Sequence, residues 1–511
     1  MTLTISTPLY YVNDKPHLGS TYTTIACDAI ARYYRLEGES VLFITGVDEH
    51  GQKIQQTAQL KNIDPKEHCD LVVTQYLELW NLLDIKFDRF IRTTSSKHKK
   101  FVETFYKKVK ESGDIKQGKQ QGWYCVGCEE YKDIPKTSEA PICAIHQKKL
   151  EWRDEDNLFF CLTNYQEQIM ALVQDNSFIR PSTRRNEIIN FVSSGLRDFS
   201  ISRQNVDWAI TVPDDNSQTL YVWFDALLGY LSALYPDENN IDLASLDNLG
   251  WPAHVHVIGK DILRFHAVYW PAMLLSAGLK LPKQVFGHGF LTREGQKMGK
   301  SLGNVLDPKD LLMKYDRDCI RWYLLSDIKF GSDGDFQESR FIDLINNDLA
   351  NTIGNLLNRT STMSRKWFNN KIPFIEKDNS DGSSISEYTS NIITIVKQAY
   401  LNYDFKLVCE SIIKLASQAN TYLNDNQPWT MVKQSDNLRD VSTIIYNVLE
   451  TSRIIGFLLL PIIPDIGSKI IYQLGYNEIP NTWNEELSWG VLKPGSNLPK
   501  PHPVISKLER E

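Results

Sequence analysis

"TLTISTPLYYVNDKPHLGS", residues 2–20, passes from a β-branched, apolar segment into a junction containing Pro16, His17, Gly19 and Ser20. Residues 2–12 have the character of a strand. Asn13 or Asp14 offers a helix cap, and Pro16 suits a first helical turn. Beyond them Leu18, Tyr22, Ile25, Ala29, Ile30 and Tyr33 follow helical spacing and predict one buried face. "SVLFITGVDEHG" (40–51) then reads as a short apolar strand ending in polar residues. Strand, helix, strand in this order predicts a parallel βαβ unit, whose ligands sit at the carboxyl ends of the strands. A helix start presents unpaired N–H groups and partial positive charge, so the junction suits a phosphate. Gly19 would let a planar base approach the backbone, and His17 would donate to a phosphate oxygen. On these five residues alone, an ordinary capped helix with an exposed histidine is the better reading.

A second α/β segment spans about 219–325 and includes "TLYVWFDALLGYL", "AHVHVIGKDILRFHAVYWPAMLLSAG" and "QVFGHGFLTREGQKMGKS". Between the two, residues 118–215 cluster Cys, Trp and charges and are expected to be an insertion splitting one α/β domain. Beyond about 340 the pattern turns helical. Ile342, Ile345, Leu349, Ile353 and Leu356 mark one face, and further runs at 385–402, 404–424 and 437–475 predict an all-α domain. The Pro-rich tail from Lys493 reads as extended.

Two other constellations carry chemistry. Cys125-x2-Cys128-x14-Cys143-x2-His146 has the spacing of two chelating pairs, and a closed four-ligand shell predicts one structural Zn²⁺. Cys27, Cys69, Cys161, Cys319 and Cys409 lack such partners and read as core thiols. "GQKMGKSLGN" (295–304) places Lys297, Lys300 and Ser301 in a Gly-rich loop suited to a polyphosphate. It is not a P-loop, because only three residues separate Gly295 from Gly299, and Gly303 and Pro308 interrupt the helix that should follow. Alone, it is equally well a solvated basic loop.

The 511 residues suggest roughly three or four domains. The net charge of −7 gives no general case for nucleic-acid binding, although a local basic face is compatible with it. Eight cysteines are too sparse for a disulfide scaffold and favour a reducing compartment. No leader pattern is evident, and the apolar run at 454–466 is too short for a bilayer and is broken by Pro461 and Pro464, so a cytoplasmic protein is expected.

Taken together, "PHLGS", "KMGKS" and the cysteine knuckle resemble the class I aminoacyl-tRNA synthetases and, within them, the bacterial-type methionyl-tRNA synthetase family. "FITGVDEHG", "YVWFDALLGYL" and "VIGKDILRFHAVYWPAML" support the match, which covers nearly the whole chain. The resemblance implies a class I Rossmann-type parallel-sheet catalytic domain, split by a small zinc-knuckle insertion and followed by an all-α anticodon-binding bundle. It implies a division into 1–117 and 216–325 for the catalytic halves, 118–215 for the insertion, 326–350 for a stem-contact linker, 351–492 for the anticodon domain and 493–511 for the tail. The implied activity is methionine–tRNA ligation through methionyl-adenylate, for both initiation and elongation.

By resemblance, His17 and Gly19 hold ATP, Gly259 and Asp261 meet its ribose, and Lys297, Lys300 and Ser301 meet its phosphates with Mg²⁺. His17, Lys297 and Lys300 would be catalytic. Ser20 stands where the family usually has a second histidine, and a hydroxyl there could still donate to phosphate. The methionine pocket would be Leu9, Tyr11, Asp48, Trp223, Ala226, Leu227, Tyr230, Ile262 and His266, with Asp48 on the ammonium. Aromatic rings beside a polarizable thioether suit that substrate. Asn351, Asn355, Arg359 and Trp429 would read the anticodon of tRNA(Met), the initiator included; amides, a guanidinium and an indole can pair with or stack on splayed bases. The alternatives are another class I synthetase, such as those for cysteine, valine, isoleucine or leucine, and a non-enzymatic zinc-knuckle RNA-binding protein or degenerate synthetase paralogue serving as a tRNA-binding scaffold, although the intact lysines of "KMGKS" argue against degeneracy. An insertion of about a hundred residues is too small for the editing domain of the large-aliphatic enzymes. The expected state is a monomer without membrane association.

Overall fold

The computed structural model describes residues 2–144, 147–298, 304–375 and 384–510. They form two compact units, Met1–Cys27 with Val41–His288, and Asp28–Ser40 with Gly289–Glu511.

The first unit is built on a six-stranded parallel sheet. Its strands are β1 (Leu3–Tyr11), β2 (Val41–Asp48), β3 (Arg89–Arg92), β4 (Ile179–Arg180), β5 (Val255–Gly259) and β6 (Val285–His288), in the order β3-β2-β1-β5-β6-β4. Ile5, Phe43, Ile44, Val255, Val257 and Val285 are fully buried, as a parallel sheet covered on both faces requires. β1 has β2 on one side and β5 on the other, so the strand order reverses direction at the carboxyl end of β1. That is where a crevice opens in such sheets. Helix α1 (Leu18–Leu36) starts there, as the βαβ pattern predicts.

Pro8 changes the register of β1. Ser6 pairs with Ile44, but the next pair is Leu9 with Gly46, so three residues of β1 stand against two of β2. Proline has no N–H for the ladder, and the extra residue is absorbed as a bulge. Past it, Tyr10 stacks on Tyr76 with ring centres 5.4 Å apart, while its neighbour Leu9 meets Gly229 on the other face.

Residues 118–215 differ from the expected simple insertion. An antiparallel sheet of Glu130–Lys132, Ile115–Cys125, Glu151–Phe160 and Phe199–Ser200 begins slightly earlier, at Ile115. The segment then returns β4 to the edge of the central sheet, where Ile179 pairs with Val285 and Arg180 with Phe286. Two residues carry no periodicity, so no local pattern announces this strand.

The second unit contains a small sheet of Gln296–Lys297, Leu291–Arg293 and Gly334–Phe336, followed by helices. The segment 326–350, expected to be a linker, holds that last strand, the helix Glu338–Leu344 and part of a π-helical turn sequence, Ile345–Gly354. The i→i+5 winding is visible in Thr352 Oγ1, which donates to the Asn347 carbonyl at 2.7 Å. Helices Asn355–Trp367, Ser384–Leu401, Phe405–Asn426, Leu438–Leu459 and Pro464–Gln473 complete the bundle. The predicted run 437–475 breaks at Leu460–Ile463, beside Pro461 and Pro464. The tail is extended yet anchored: Leu498 and Val504 are buried, and Gln473 exchanges hydrogen bonds with the His502 backbone. Among the described residues, no helix is long and apolar enough to cross a membrane.

Candidate active site

The junction that opened the sequence is a reciprocal cap. The His17 Nδ1 accepts from the backbone N–H of Gly19 (3.1 Å) and of Ser20 (3.3 Å), while the Ser20 Oγ accepts from the His17 N–H (3.1 Å) and donates to the His17 carbonyl (2.7 Å). Asn13 or Asp14 was the expected cap; the imidazole takes that place instead, because its Nδ1 reaches the first unpaired N–H groups of α1. A Cβ on Gly19 would lie 2.9 Å from the His17 ring, so glycine keeps this geometry open. Ser20 was expected as a phosphate donor. Its hydroxyl is buried and already engaged with the His17 backbone in both directions, which makes it a turn-forming group.

Across the crevice, β5 ends at Gly259, and Asp261 follows in a short 3₁₀ turn with its side chain exposed. A Cβ on Gly259 would lie 2.6 Å from Asp261 Oδ1, so the glycine leaves that carboxylate room.

The nine residues expected to bind methionine fall in this same unit. Leu9 packs so closely on Gly229 that a Cβ there would sit 2.3 Å from Leu9 Cδ1. Trp223 stacks on Phe265 with centroids 3.9 Å apart and planes 5° from parallel. Ala226 and Leu227 are buried on the same short helix, Val222–Leu227. Tyr230 and His266 share a hydrogen bond of 2.7 Å at the histidine Nε2, and His266 Nδ1 lies 3.0 Å from the Ile262 carbonyl. A carbonyl can only accept, so the proton is on Nδ1, and Nε2 accepts from the Tyr230 hydroxyl. Burial holds His266 neutral, with its pKa lowered to about 4. The wall is thus uncharged and polarised in one direction.

Asp48, at the end of β2, is the ionisable contrast. It is buried, and burial first, then the nearby Asp225 carboxylate, push its pKa well above the usual range. A cation placed beside it would reverse that cost. Tyr11 donates to Glu129 Oε1 at 2.8 Å, and the same oxygen accepts from the Lys53 N–H at 2.9 Å.

Sequence reasoning missed several residues behind this wall. Asp225 receives His50 Nδ1 at 2.6 Å and His98 Nε2 at 2.5 Å. His256 Nε2 accepts from Trp270 Nε1 at 3.3 Å, which leaves its Nδ1–H for Ser6 Oγ at 2.6 Å. A carboxylate inside the apolar run "YVWFDALLGYL" was a visible signal for the first. Glu129 had none beyond its place after Cys128.

The knuckle forms at a hairpin. Cys125 closes the strand Ile115–Cys125, Cys128 lies in the turn, and Cys143 is held by its N–H to the Lys148 carbonyl. The three Sγ atoms lie within 4.8 Å of one another, Cys128 and Cys143 being 3.7 Å apart, and none is in a disulfide. Tetrahedral Zn–S bonds of about 2.3 Å require sulfur separations of about 3.8 Å, so the three thiols fit such an ion. His146 lies outside the described residues, as do Lys300 and Ser301. Lys297 is placed by its backbone pairing with Thr292.

In the second unit, Asn355 and Arg359 are exposed, and Asn351 and Trp429 are half-buried. The Arg359 guanidinium lies 4.6 Å from the Trp429 ring centre and donates to Asn424 Oδ1 at 3.1 Å. Asn424 is a further amide that spacing did not single out.

The model of class I tRNA synthetases (M) matches residues 3–134 and 132–361, and that of the anticodon binding domain of methionyl tRNA ligase matches 379–511. A methionine–tRNA ligase of Synechocystis sp. is 48% identical, covering 99% of this chain and 98% of the relative. The chloroplastic/mitochondrial methionine–tRNA ligase of Arabidopsis thaliana is 47% identical over 99% of this chain and 83% of its own. Among solved structures, Mycobacterium tuberculosis methionyl-tRNA synthetase in complex with methionyl-adenylate superposes with a TM-score of 0.92 at 36% identity, covering 98% of this chain and 99% of that one. With a switch-point crevice, a neutral aromatic wall and a buried carboxylate in one unit, and these likenesses along its length, the chain belongs to the methionine–tRNA ligase family of class I tRNA synthetases.

Proposed function

We propose that methionine and ATP react in the crevice at the carboxyl ends of β1, β2 and β5, and that the product is passed to tRNA(Met), the initiator included. One methionine carboxylate oxygen attacks the α-phosphorus of ATP in line, and pyrophosphate leaves. The terminal ribose hydroxyl of the tRNA then attacks the methionyl carbonyl, and AMP leaves. The observation that carries this assignment is Asp48, one buried carboxylate beside a wall that Tyr230 and His266 keep neutral. The ammonium pairs with Asp48 and the thioether with Leu9, Tyr11, Trp223, Ala226, Leu227, Tyr230, Ile262 and His266. Discriminating apolar side chains by size is worth only about 1–3 kcal/mol per methylene, so the close Leu9–Gly229 and Trp223–Phe265 packing has to hold the shape rigidly.

His17 and the start of α1 are assigned to ATP, with Gly19 opening the approach and Gly259 and Asp261 meeting the ribose. Ser20 acts there through the cap. Lys297, Lys300 and Ser301 are assigned to the phosphates on the motif alone. Such transfer is driven by positioning and charge stabilisation, so no protein general base is required. Mg²⁺ bound with ATP would neutralise phosphate charge. Cys125, Cys128 and Cys143, with His146, hold one structural Zn²⁺; the domain limits inferred from the sequence, a cytoplasmic location and a monomeric state complete the reading.

Pyrophosphate exchange with each amino acid in turn tests it. Exchange with methionine, slowed far more by Lys300→Ala than methionine binding is weakened, is expected. Preference for another amino acid would sink the assignment. Metal analysis of the purified protein should find one zinc per chain, lost with Cys143→Ser.

A further inference from the structure

Asp225 takes no part in the reading above, yet it is almost fully enclosed, at 1% exposure, and is met by two imidazoles that are equally enclosed, His50 at 2% and His98 at 0%. Its ionised state follows from those contacts, which hold its pKa down at about 2 despite burial. A carboxylate accepts only, so His50 Nδ1 and His98 Nε2 are both donors, one to each oxygen. The far side of His98 continues through Nδ1 to Ser232 Oγ at 2.8 Å.

These bonds join segments that are distant in sequence. His50 follows Asp48 by two residues, and its backbone N–H lies 3.4 Å from Asp48 Oδ1. Asp225 shares the helix Val222–Leu227 with Trp223, Ala226 and Leu227, and Ser232 shares Gly229–Ser232 with Tyr230. His98 comes from behind, on Ser96–Glu111. One carboxylate therefore ties together segments bearing five of the nine residues assigned to methionine.

We propose that Asp225, held by N–H donors from His50 and His98, is the positioning residue of the amino-acid pocket. It fixes the Asp48 turn against the Trp223 helix, and the two donors balance its charge so that Asp48 remains the carboxylate open to the ammonium. This rests on the assignment of Asp48 to the ammonium. Removing one donor leaves Asp225 short of a partner and lets the Asp48 turn and the Trp223 helix shift against each other, which misplaces Asp48 and weakens its ion pair with the substrate.

Steady-state pyrophosphate exchange on the full chain, with KM measured separately for methionine and ATP, tests the proposal. His50→Leu and His98→Met remove the donor and keep the bulk; each should raise the methionine KM roughly 10- to 100-fold with the ATP KM unchanged. In His50→Asn the amide nitrogen falls near the place of Nδ1, and in His98→Gln near that of Nε2, so both should stay within about threefold of the parent. Equal losses in donor-keeping and donor-lacking variants, or an ATP KM that moves as much as that of methionine, would overturn the proposal in favour of packing alone. If His50→Leu does not fold, the His98 pair carries the same comparison. Asp48→Asn is the separate arm: an unchanged methionine KM there refutes the ammonium assignment and the proposal with it, whereas a large increase there with silent histidine variants refutes only the proposal.

Discussion

Arg359 lies over Trp429, its guanidinium carbon 4.6 Å from the indole centre, while its Nη1 donates to Asn424. The pair comes from helices Asn355–Trp367 and Pro428–Met431, 70 residues apart, and places a cation over a half-buried ring. Base–aromatic stacking contributes about 1–3 kcal/mol per base, so Trp429→Ala should lower kcat/KM for tRNA aminoacylation by roughly 10- to 100-fold. Pyrophosphate exchange involves no tRNA and should be unaffected. A parallel loss in both reactions would refute the proposal that these residues read the anticodon.

Ser20 acts through the cap of α1. Ser20→Ala removes two hydrogen bonds to the His17 backbone and should cost about 1 kcal/mol in denaturant unfolding. Ser20→His, which introduces the residue usual at this place in the family, has to fit a ring where a small side chain is buried. It should destabilise more than Ser20→Ala, by about 1–3 kcal/mol, and should not speed adenylate formation. A faster adenylate burst in single-turnover kinetics would instead return a direct phosphate role to this position.

Gly229 sets the place of Leu9. A methyl group there would sit 2.3 Å from Leu9 Cδ1 and force that side chain to move. Gly229→Ala should therefore raise the methionine KM roughly tenfold while costing about 1–3 kcal/mol of stability, since overpacking displaces neighbours. Isothermal titration with methionine alone checks the first half, and unchanged affinity would show that the pocket does not depend on Leu9.

His266 links pH to stability. Its pKa falls from 6.5 in an unfolded chain to about 4 in the folded protein, so between those values the unfolded chain binds the proton more readily. Its neutral burial contributes fully above pH 6.5 and is lost as pH falls towards 4, at up to about 1.4 kcal/mol per pH unit. Chemical unfolding between pH 6.5 and 4 should show a shallower decline for His266→Gln than for the parent. Identical slopes would mean that His266 titrates normally.

The βαβ start, the helical second half and the cysteine knuckle were legible because each is written locally. Alternation and helical spacing define elements, and metal ligands two residues apart define a chelate. The junction itself was legible for the same reason, but its cap was not: Asn13 or Asp14 was expected, and His17 Nδ1 takes the Gly19 and Ser20 N–H groups instead. For Ser20 the residue type permits phosphate binding, but its use depends on whether the hydroxyl points outward or, as it does here, back at the His17 backbone.

Periodicity and short motifs act over one element at a time, so they were enough to specify the class of fold, a parallel α/β unit and a helical bundle after it. It took the assembled fold to bring Ile179–Arg180 into the central sheet, to shift the register at Pro8 ahead of Leu9 and Tyr11, and to set Asp225 between His50 and His98, 175 and 127 residues away. Pairing over such separations leaves no trace in local spacing. It is settled by which buried donors and acceptors can reach one another once the apolar faces have closed, because a buried polar group without a partner costs more than most single contacts return.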